Sequence, residues 1–240
     1  MLFLVRVVFQ TKPTHKIACE DTNFLRDYTP FVLFFSQFLQ IFTTFTLAMI
    51  VDIHTHKTLA QAQTIDTEGI HPWHATACDI SVVERRAAEV DAIGEIGLDY
   101  ACDAPRDVQM EVFRAQLSIA ERHEKPVVLH CVRAFEEVMR VLRDYRLPAV
   151  IFHGFIGLVE QSQRAVAEGY YLSFGERTFR SPKSVEAMRS TPLSRLFVET
   201  DESATPIEEI YAKIAALRGI SVAELTAATE ENFRLIFRRQ

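Results

Sequence analysis

The sequence lacks the cysteine patterns that indicate a disulfide framework or a thiolate metal site. It contains four cysteines, with no Cys-x-x-Cys pair among them. Disulfide scaffolds and structural zinc sites both depend on closely spaced cysteines. The sequence therefore predicts reduced thiols and a cytoplasmic location.

The chain also lacks a cluster of basic residues and a glycine-rich phosphate-binding motif. Its formal net charge is −6, with 26 Lys and Arg against 32 Asp and Glu, so the composition does not indicate non-specific affinity for a polyanion. A bound metal can supply positive charge locally, so a nucleic-acid substrate stays possible. The missing Gly-x-Gly-x-x-Gly motif disfavours a dinucleotide-binding sheet.

The first 48 residues differ in composition from the rest of the chain. Half of the 18 phenylalanines precede Met49, and no charged residue lies between Asp27 and Asp52. This run is long enough to cross a bilayer, but polar residues interrupt its apolar character. Its last residues also belong to the strand candidate 50–54, which must be buried in the fold. We therefore interpret residues 1–48 as a doubtful extension, read in frame upstream of a start at Met49, with a membrane anchor as the alternative.

After Met49, short β-branched runs alternate with segments of helical periodicity, which is typical of parallel βα units. The strand candidates are residues 50–54, 67–71, 92–97, 126–131, 149–153, 169–175 and 195–200. This many units without a phosphate-binding glycine motif favour a TIM-like (β/α) barrel over a doubly wound sheet. Because the chain is shorter than the roughly 250 residues typical of that barrel, we expect a shortened one of seven or eight parallel strands.

Several helices can be predicted in more detail. The period of the segment 105–123 predicts a helix with Val108, Val112, Ala115 and Ile119 on one face. Two later helices begin with sequences that resemble capping boxes, Thr205 to Glu208 and Ser221 to Glu224.

Side chains that can bind metal ions occur at the carboxyl ends of the apolar strand candidates. They are His54, His56, Glu95, His130, His153 and Asp201. The first two are separated by one residue, so both point to the same side of their strand. In a parallel barrel all these strand ends meet on one face, where unpaired polar groups would cost roughly 1–3 kcal/mol each. A metal site accounts for the whole set.

Imidazole and carboxylate ligands without thiolate suit zinc, manganese or magnesium ions. The set exceeds the three protein ligands of a usual catalytic zinc, which indicates two ions about 3.5–4 Å apart, joined by a carboxylate. We expect two divalent metal ions (Zn, Mn or Mg) with Glu95 as the bridge. Asp99 and Tyr100 are candidates for fixing the tautomers of the ligand histidines.

The motifs DIHTH, GIHPW, GEIGLDY, LHC, FHGF and ETD, in this order, resemble the TatD family of metal-dependent hydrolases. The resemblance extends from Met49 to the terminal ENFRLIF, so residues 49–240 would form an amidohydrolase-like barrel with metal-dependent deoxyribonuclease activity. It implies that His54 and His56 bind one ion, that Glu95 bridges, and that His130 and His153 serve the second ion. It also implies that Asp201 is a ligand that orients or deprotonates the attacking water, so Asp201 and Glu95 are the catalytic candidates.

Three residues are candidates for substrate binding, namely His71, Trp73 and Arg133. His71 matches the Gly-x-His-Pro segment of the family, and Trp73 could stack on a base. Family members usually carry His-x-Arg here, whereas Arg133 stands one residue later, and a strand-end side chain displaced by one residue faces elsewhere. The loop after Asp201 also lacks the family's proline-aromatic segment, so the departures from the family pattern concern the DNA-binding groove and not the metal site.

Three functions therefore stay open. The first is hydrolysis of phosphodiester bonds at DNA ends, and the second is hydrolysis of a small-molecule amide, lactone or phosphoester. The third is a non-catalytic metal-binding barrel, which the complete ligand set disfavours. We expect DNA ends or a small phosphoester as the partner, no protein partner and no membrane association.

Overall fold

The computed structural model describes residues 49–57 and 62–237. Within these residues, six parallel strands form one sheet in chain order. The strands are β1 (Thr67–Glu68), β2 (Ala92–Asp99), β3 (Val127–Val132), β4 (Val150–Phe152), β5 (Tyr171–Phe174) and β6 (Leu196–Val198). This arrangement confirms the predicted parallel α/β architecture.

The α-helices of the described part alternate with the strands. They are α1 (Ile80–Arg86), α2 (Arg106–Arg122), α3 (Phe135–Leu142), α4 (Val159–Ala167), α5 (Pro182–Ser190), α6 (Ile207–Arg218) and α7 (Val222–Phe237). Three 3-10 turns lie in the loops, at Pro72–Ala77, Glu176–Arg180 and Leu193–Arg195.

The segment that follows Met49 links the two edges of the sheet. The amide of Asp52 donates to the carbonyl of Gln63 (2.9 Å), and the amide of Ile53 donates to the carbonyl of Val198 on β6 (3.1 Å). The predicted strand 50–54 is nevertheless not a regular strand, because only isolated bridges form at Val51 and Thr55 and the backbone bends at residues 53–54. The segment still occupies the position of a first barrel strand, between β6 and the approach to β1.

An apolar layer lies inside the sheet. Val128, Ile151 and Phe197 are fully buried and belong to one cluster. Each stands two residues before a polar side chain, and residues two apart on a strand share a face. The polar side chains are His130, His153 and Glu199. The strands therefore present an apolar floor with polar groups above it at their carboxyl ends.

Helix α2 buries polar as well as apolar residues. Its buried residues are Gln109, Phe113, Gln116, Leu117, Ile119 and Ala120. The predicted helix is confirmed, but of the four apolar residues that define its face in the sequence only Ile119 is buried. The buried face of α2 includes two glutamines whose side chains form hydrogen bonds with the backbone of neighbouring segments. The buried face therefore differs from the face that the apolar residues alone define.

The two predicted capping boxes have different outcomes. The box beginning at Thr205 was wrong, because α6 starts after Pro206 without a side-chain cap. Ser221 does cap α7, since its hydroxyl accepts a hydrogen bond from the amide of Glu224 (3.1 Å).

The predicted extension 1–48 lies outside the described residues. Among the helices that the structure describes, none combines the length and apolar character required to cross a bilayer.

Candidate metal centre

Glu95, in the middle of β2, lies at the centre of a cluster of histidines. Its Oε1 lies 2.6 Å from Nδ1 of His130 and 2.5 Å from Nε2 of His153. Its Oε2 lies 3.3 Å from Nε2 of His54 and 3.9 Å from Nε2 of His56. The two oxygens of one carboxylate therefore face two different pairs of histidines, as the sequence-based assignment of Glu95 as a bridge requires.

Asp201 stands beside the first histidine pair. Its Oδ1 lies 3.5 Å from Nε2 of His56 and 3.9 Å from Nε2 of His54. A hydrogen bond from the amide of Asp201 to the carbonyl of His54 (2.9 Å) fixes the backbone of Asp201 beside that histidine. All six predicted ligands thus come together, although Glu95 lies in the middle of β2 and not at its carboxyl end as predicted.

The donor set fits a divalent metal ion. Three groups have ligand atoms within 4.8 Å of one another: His54 with His153 and Asp201, His54 with His56 and Glu95, and His71 with Glu95 and His130. Nε2 of His54 is buried without a hydrogen-bond partner among the described residues. A buried imidazole nitrogen that faces two carboxylates and makes no hydrogen bond is placed as a metal ligand would be.

Two further carboxylates stand behind the histidines. Oδ2 of Asp99 lies 3.2 Å from Nε2 of His130, and Oε1 of Glu199 lies 3.6 Å from Nδ1 of His153. A carboxylate that accepts a hydrogen bond from the protonated outer ring nitrogen leaves the inner nitrogen with its lone pair directed at the site. Asp99 is at hydrogen-bond distance, whereas Nδ1 of His153 has no hydrogen-bond partner among the described residues. The sequence analysis anticipated Asp99 but missed Glu199, whose position next to Asp201 in the ETD motif was the available signal.

These contacts control the charge of the buried groups. Burial acts to raise the pKa of Glu95, but hydrogen bonds from His130 and His153 hold it well below its ordinary value. Burial acts to lower the pKa of His153, while Glu199 and Glu95 raise it to about 10. His153 therefore carries a proton between two carboxylates unless another cation takes that place, so metal binding competes with this proton.

Asp52 secures the segment that carries the first histidine pair. Its two oxygens accept hydrogen bonds from the amide (2.9 Å) and the hydroxyl (2.6 Å) of Thr200. Burial raises the pKa of Asp52 to about 6, although both bonds from Thr200 lower it. The pairing joins residues 52 and 200, which come from opposite ends of the chain, and so fixes His54 relative to Asp201.

His71 and Trp73 lie at the same face. Nε2 of His71 is 3.3 Å from Oε1 of Glu95, and its Nδ1 accepts a hydrogen bond from the amide of Trp73 (3.2 Å). In a neutral ring that acceptor role places the proton on Nε2, so His71 is a hydrogen-bond donor to the cluster. The indole of Trp73 donates to Oδ2 of Asp99 (2.7 Å), yet 56% of this residue is exposed.

Gln116, which the sequence analysis did not single out, fixes the loop before His71. Its side chain accepts from the amide of Ile70 (2.6 Å) and donates to the carbonyl of the same residue (3.1 Å). A buried glutamine on the inner face of a helix gives no pattern by which its partner can be identified from sequence.

Two pockets flank the cluster. The first, of about 380 Å³, lies between the loops after β3 and β4 and is lined by Arg133, His153, Phe155 and other residues. Arg133 is exposed at its rim, so it lies at the face of the site, as a substrate-binding residue must. The second pocket, of about 230 Å³, is bordered by Asp201 and by Arg177 and Arg180, two arginines that the sequence analysis did not identify.

Comparisons with known proteins agree with this geometry. The family model described as TatD related DNase matches residues 36–238. A metal-dependent hydrolase of Bacillus subtilis, YabD, is 34% identical over 193 residues, covering 71% of this chain and 76% of that protein. The Escherichia coli protein named 3'-5' ssDNA/RNA exonuclease TatD is 32% identical over 200 residues, covering 71% of this chain and 76% of that protein.

The solved structure of the TatD homologue YjjV from Escherichia coli superimposes with a TM-score of 0.67 at 25% identity, covering 89% of this chain and 95% of that one. A TatD family hydrolase from Entamoeba histolytica shares the fold, with a TM-score of 0.64 at 18% identity over 75% of this chain and 76% of that one. These relatives support the barrel-like fold and the interpretation of the site as one for divalent metal. The chain therefore belongs to the TatD family of metal-dependent hydrolases.

Proposed function

We propose that this protein hydrolyses phosphodiester bonds at the ends of DNA strands with two divalent metal ions. The observation that carries the proposal is that the two carboxylate oxygens of Glu95 face different histidines. Its Oε2 faces His54 and His56, and its Oε1 faces His130 and His153. A carboxylate shared in this way is the expected bridge of a two-metal phosphodiesterase site.

In the proposed assignment, His54, His56 and Asp201 hold one ion and His130 and His153 hold the other. When bound, divalent ions lower the pKa of a water molecule and polarise the phosphoryl oxygen. Asp201 would orient the attacking water and accept its proton; only 15% of its side chain is exposed, and its Oδ2 lies 3.8 Å from Arg177, which borders the neighbouring pocket. Asp99 would keep a proton on Nε2 of His130, and the nearby charge of Glu199 would favour a proton on Nδ1 of His153.

The name of the Escherichia coli relative, which specifies single-stranded DNA and RNA, supports a nucleic-acid substrate. The position of Trp73 supports it as well, because the hydrogen bond to Asp99 holds an exposed indole at the edge of the site. A base stacked on such a ring gains about 1–3 kcal/mol. His71 and Arg133 border the same face and are proposed to contact the substrate.

The substrate is tested by incubating the full chain and Mn²⁺ with end-labelled single-stranded DNA, with simple phosphoesters and with lactones. We expect shortening of the DNA from its end and weaker turnover of the small esters. Turnover of lactones or small phosphoesters with intact DNA would assign the same metal site to small-molecule hydrolysis instead. Metal content measured on the same samples should approach two ions per chain.

The chemistry is tested with Asp201→Asn, which keeps the size of the side chain and removes its basicity. We expect turnover to fall by about 10²–10⁴-fold, with unchanged thermal unfolding. Asp103→Asn is the matched control, because Asp103 is exposed in the loop before α2. Activity of Asp201→Asn close to that of the control would remove Asp201 from the proposed role.

We further propose that residues 49–240 suffice for this activity. Expression from Met49 should give a folded product with the same metal content and turnover as the full chain. An insoluble, inactive product, with activity of the full chain confined to membranes, would favour the anchor interpretation of residues 1–48.

A further inference from the structure

The pocket of about 230 Å³ beside Asp201 lies between the loop after β5 and the loop after β6. Two arginines of the 3-10 turn Glu176–Arg180 border it. Its other side is formed by residues 199–203, which include Asp201. The pocket therefore opens directly next to the residue that we place at the attacking water.

Most carboxylates around this pocket already have partners. The carboxylate of Glu176 accepts a hydrogen bond from the hydroxyl of Ser203. Oε1 of Glu199 lies 3.6 Å from Nδ1 of His153, while its Oε2 is buried without a hydrogen-bond partner among the described residues. Asp201 faces the histidine pair of the metal cluster. Glu202 is exposed at the margin.

The two arginines, in contrast, are available. Side-chain exposure of Arg177 is 62%, and its ion pair with Oδ2 of Asp201 spans 3.8 Å. Arg180 is exposed and has no hydrogen bond or ion pair within the part of the chain that the structure describes. An exposed pair at this distance contributes little to stability, so fold stability does not account for Arg177. These two guanidinium groups lie next to the histidine cluster around Glu95, although the chain as a whole has a net charge of −6.

The turn that carries the arginines is held in place. The hydroxyl of Ser203 joins it to the loop after β6 through Glu176, and the same oxygen accepts from the amide of Thr205 (3.0 Å). Fixing a loop before binding reduces the entropy lost when a ligand is bound. The guanidinium groups are thus presented on a loop whose backbone is already ordered.

From this geometry we propose that Arg177, assisted by Arg180, binds a phosphate group of the substrate beside Asp201. The proposal rests on the proposed function and adds the subsite that holds the polyanion. Guanidinium groups bind phosphate through paired hydrogen bonds, and the two arginines are the positive groups in a pocket that Glu176, Glu199, Asp201 and Glu202 also line. Arg177 would exchange its weak pairing with Asp201 for the substrate phosphate.

The test compares Arg177→Ala, Arg177→Lys and the control Arg189→Ala, whose side chain is 53% exposed and pairs with Glu186 at 4.0 Å. Steady-state kinetics on labelled single-stranded DNA with Mn²⁺ give kcat and KM. Calorimetry with inorganic phosphate, on protein freed of metal, gives anion affinity independently of activity. Calorimetry with Mn²⁺ gives metal affinity.

We expect Arg177→Ala to raise KM about 10-fold, to weaken phosphate binding similarly and to leave Mn²⁺ affinity unchanged or higher. Arg177→Lys should be intermediate, because it keeps the charge but not the paired hydrogen bonds. Affinity for DNA decreases as salt increases, and the negative slope of log affinity against log salt should become shallower by about 0.7 when one phosphate contact is lost.

Unchanged KM and phosphate affinity in Arg177→Ala would overturn the proposal. Weakened Mn²⁺ binding would also overturn it, because Arg177 would then serve to position Asp201. If the wild-type chain does not cleave DNA, the proposed function fails, whereas phosphate calorimetry still decides whether the arginines form an anion site.

Discussion

Gly97 occupies the position on β2 where an added methyl group has the most direct consequence for the site. It pairs in register with His130 on β3 and has a φ of +142°, a conformation that residues with a side chain rarely adopt. A Cβ at this position would overlap the carbonyl oxygen of His130 and lie 3.0 Å from its carbonyl carbon and 3.2 Å from its nitrogen. These are backbone atoms, so no side-chain rotation can relieve the contact.

Gly97→Ala should therefore separate β2 from β3 at the residue that presents a proposed metal ligand. Overpacking of this kind costs about 1–3 kcal/mol, and forcing a non-glycine residue into an unfavourable backbone region costs about 1–3 kcal/mol more. We expect the free energy of unfolding to fall by about 2–6 kcal/mol. Because His130 moves with its backbone, the variant should also lose one of the two proposed Mn²⁺ ions and most of the proposed activity.

The measurement is denaturant unfolding of metal-free protein together with Mn²⁺ stoichiometry by calorimetry. Gly169→Ala is the matched control, since Gly169 also has a positive φ (+85°) but has nothing within 4 Å of an added Cβ. It should show the backbone strain alone, with both metal ions retained. Equal stability of the two variants and full metal binding by Gly97→Ala would refute the reasoning.

Three other predictions concern the loop before the site and the metal ions. Gln116→Met should lower the free energy of unfolding by about 2–4 kcal/mol, because it leaves two partly buried backbone groups of Ile70 unpaired. It should raise KM as well, and unchanged urea unfolding would contradict it. Mn²⁺ at 100 times its dissociation constant should add about 2.7 kcal/mol of stability and raise Tm by about 5–10 °C, whereas no shift in scanning fluorimetry would argue against a metal site. Trp73→Ala should raise KM for DNA with little change in Tm, because Trp73 is largely exposed, and Trp73→Phe should retain most of the binding; equal KM values for all three proteins would exclude stacking.

The parts of this molecule that could be predicted from sequence are those set by strand periodicity. Parallel strands end on one face, so the placement of His130 and His153 after apolar runs was enough to predict that they come together. In the structure Nδ1 of His130 lies 3.2 Å from Nε2 of His153. Their function as ligands stays a prediction. Glu95 was harder to place, because it lies within its strand and reaches the cluster through an irregularity in register between residues 93 and 96.

The parts that could not be predicted depend on contacts between segments distant in sequence. Gln109 is buried because it bonds to both backbone groups of Asp99 (2.8 and 2.9 Å), and no helical period of apolar residues reveals such a partner. Thr205 fits a capping pattern, but Pro206 occupies the cap position instead. Arg177 is one of many surface arginines in the sequence, and only the fold brings it to Asp201.

The carboxylate of Asp99 connects the proposed metal centre with the proposed substrate surface. Burial acts to raise its pKa, but the hydrogen bond from Trp73 and other donors hold the pKa below its ordinary value, so Asp99 is ionised and accepts from both the indole and Nε2 of His130. A neutral His130 that donates from Nε2 presents a lone pair at Nδ1, only 2.6 Å from an oxygen of Glu95. Two such acceptors cannot approach this closely unless a proton lies between them. The residue that orients Trp73 thereby also determines how the ring of His130 meets Glu95, and we expect a substrate that shifts the indole to alter the hydrogen bonding of this proposed metal ligand.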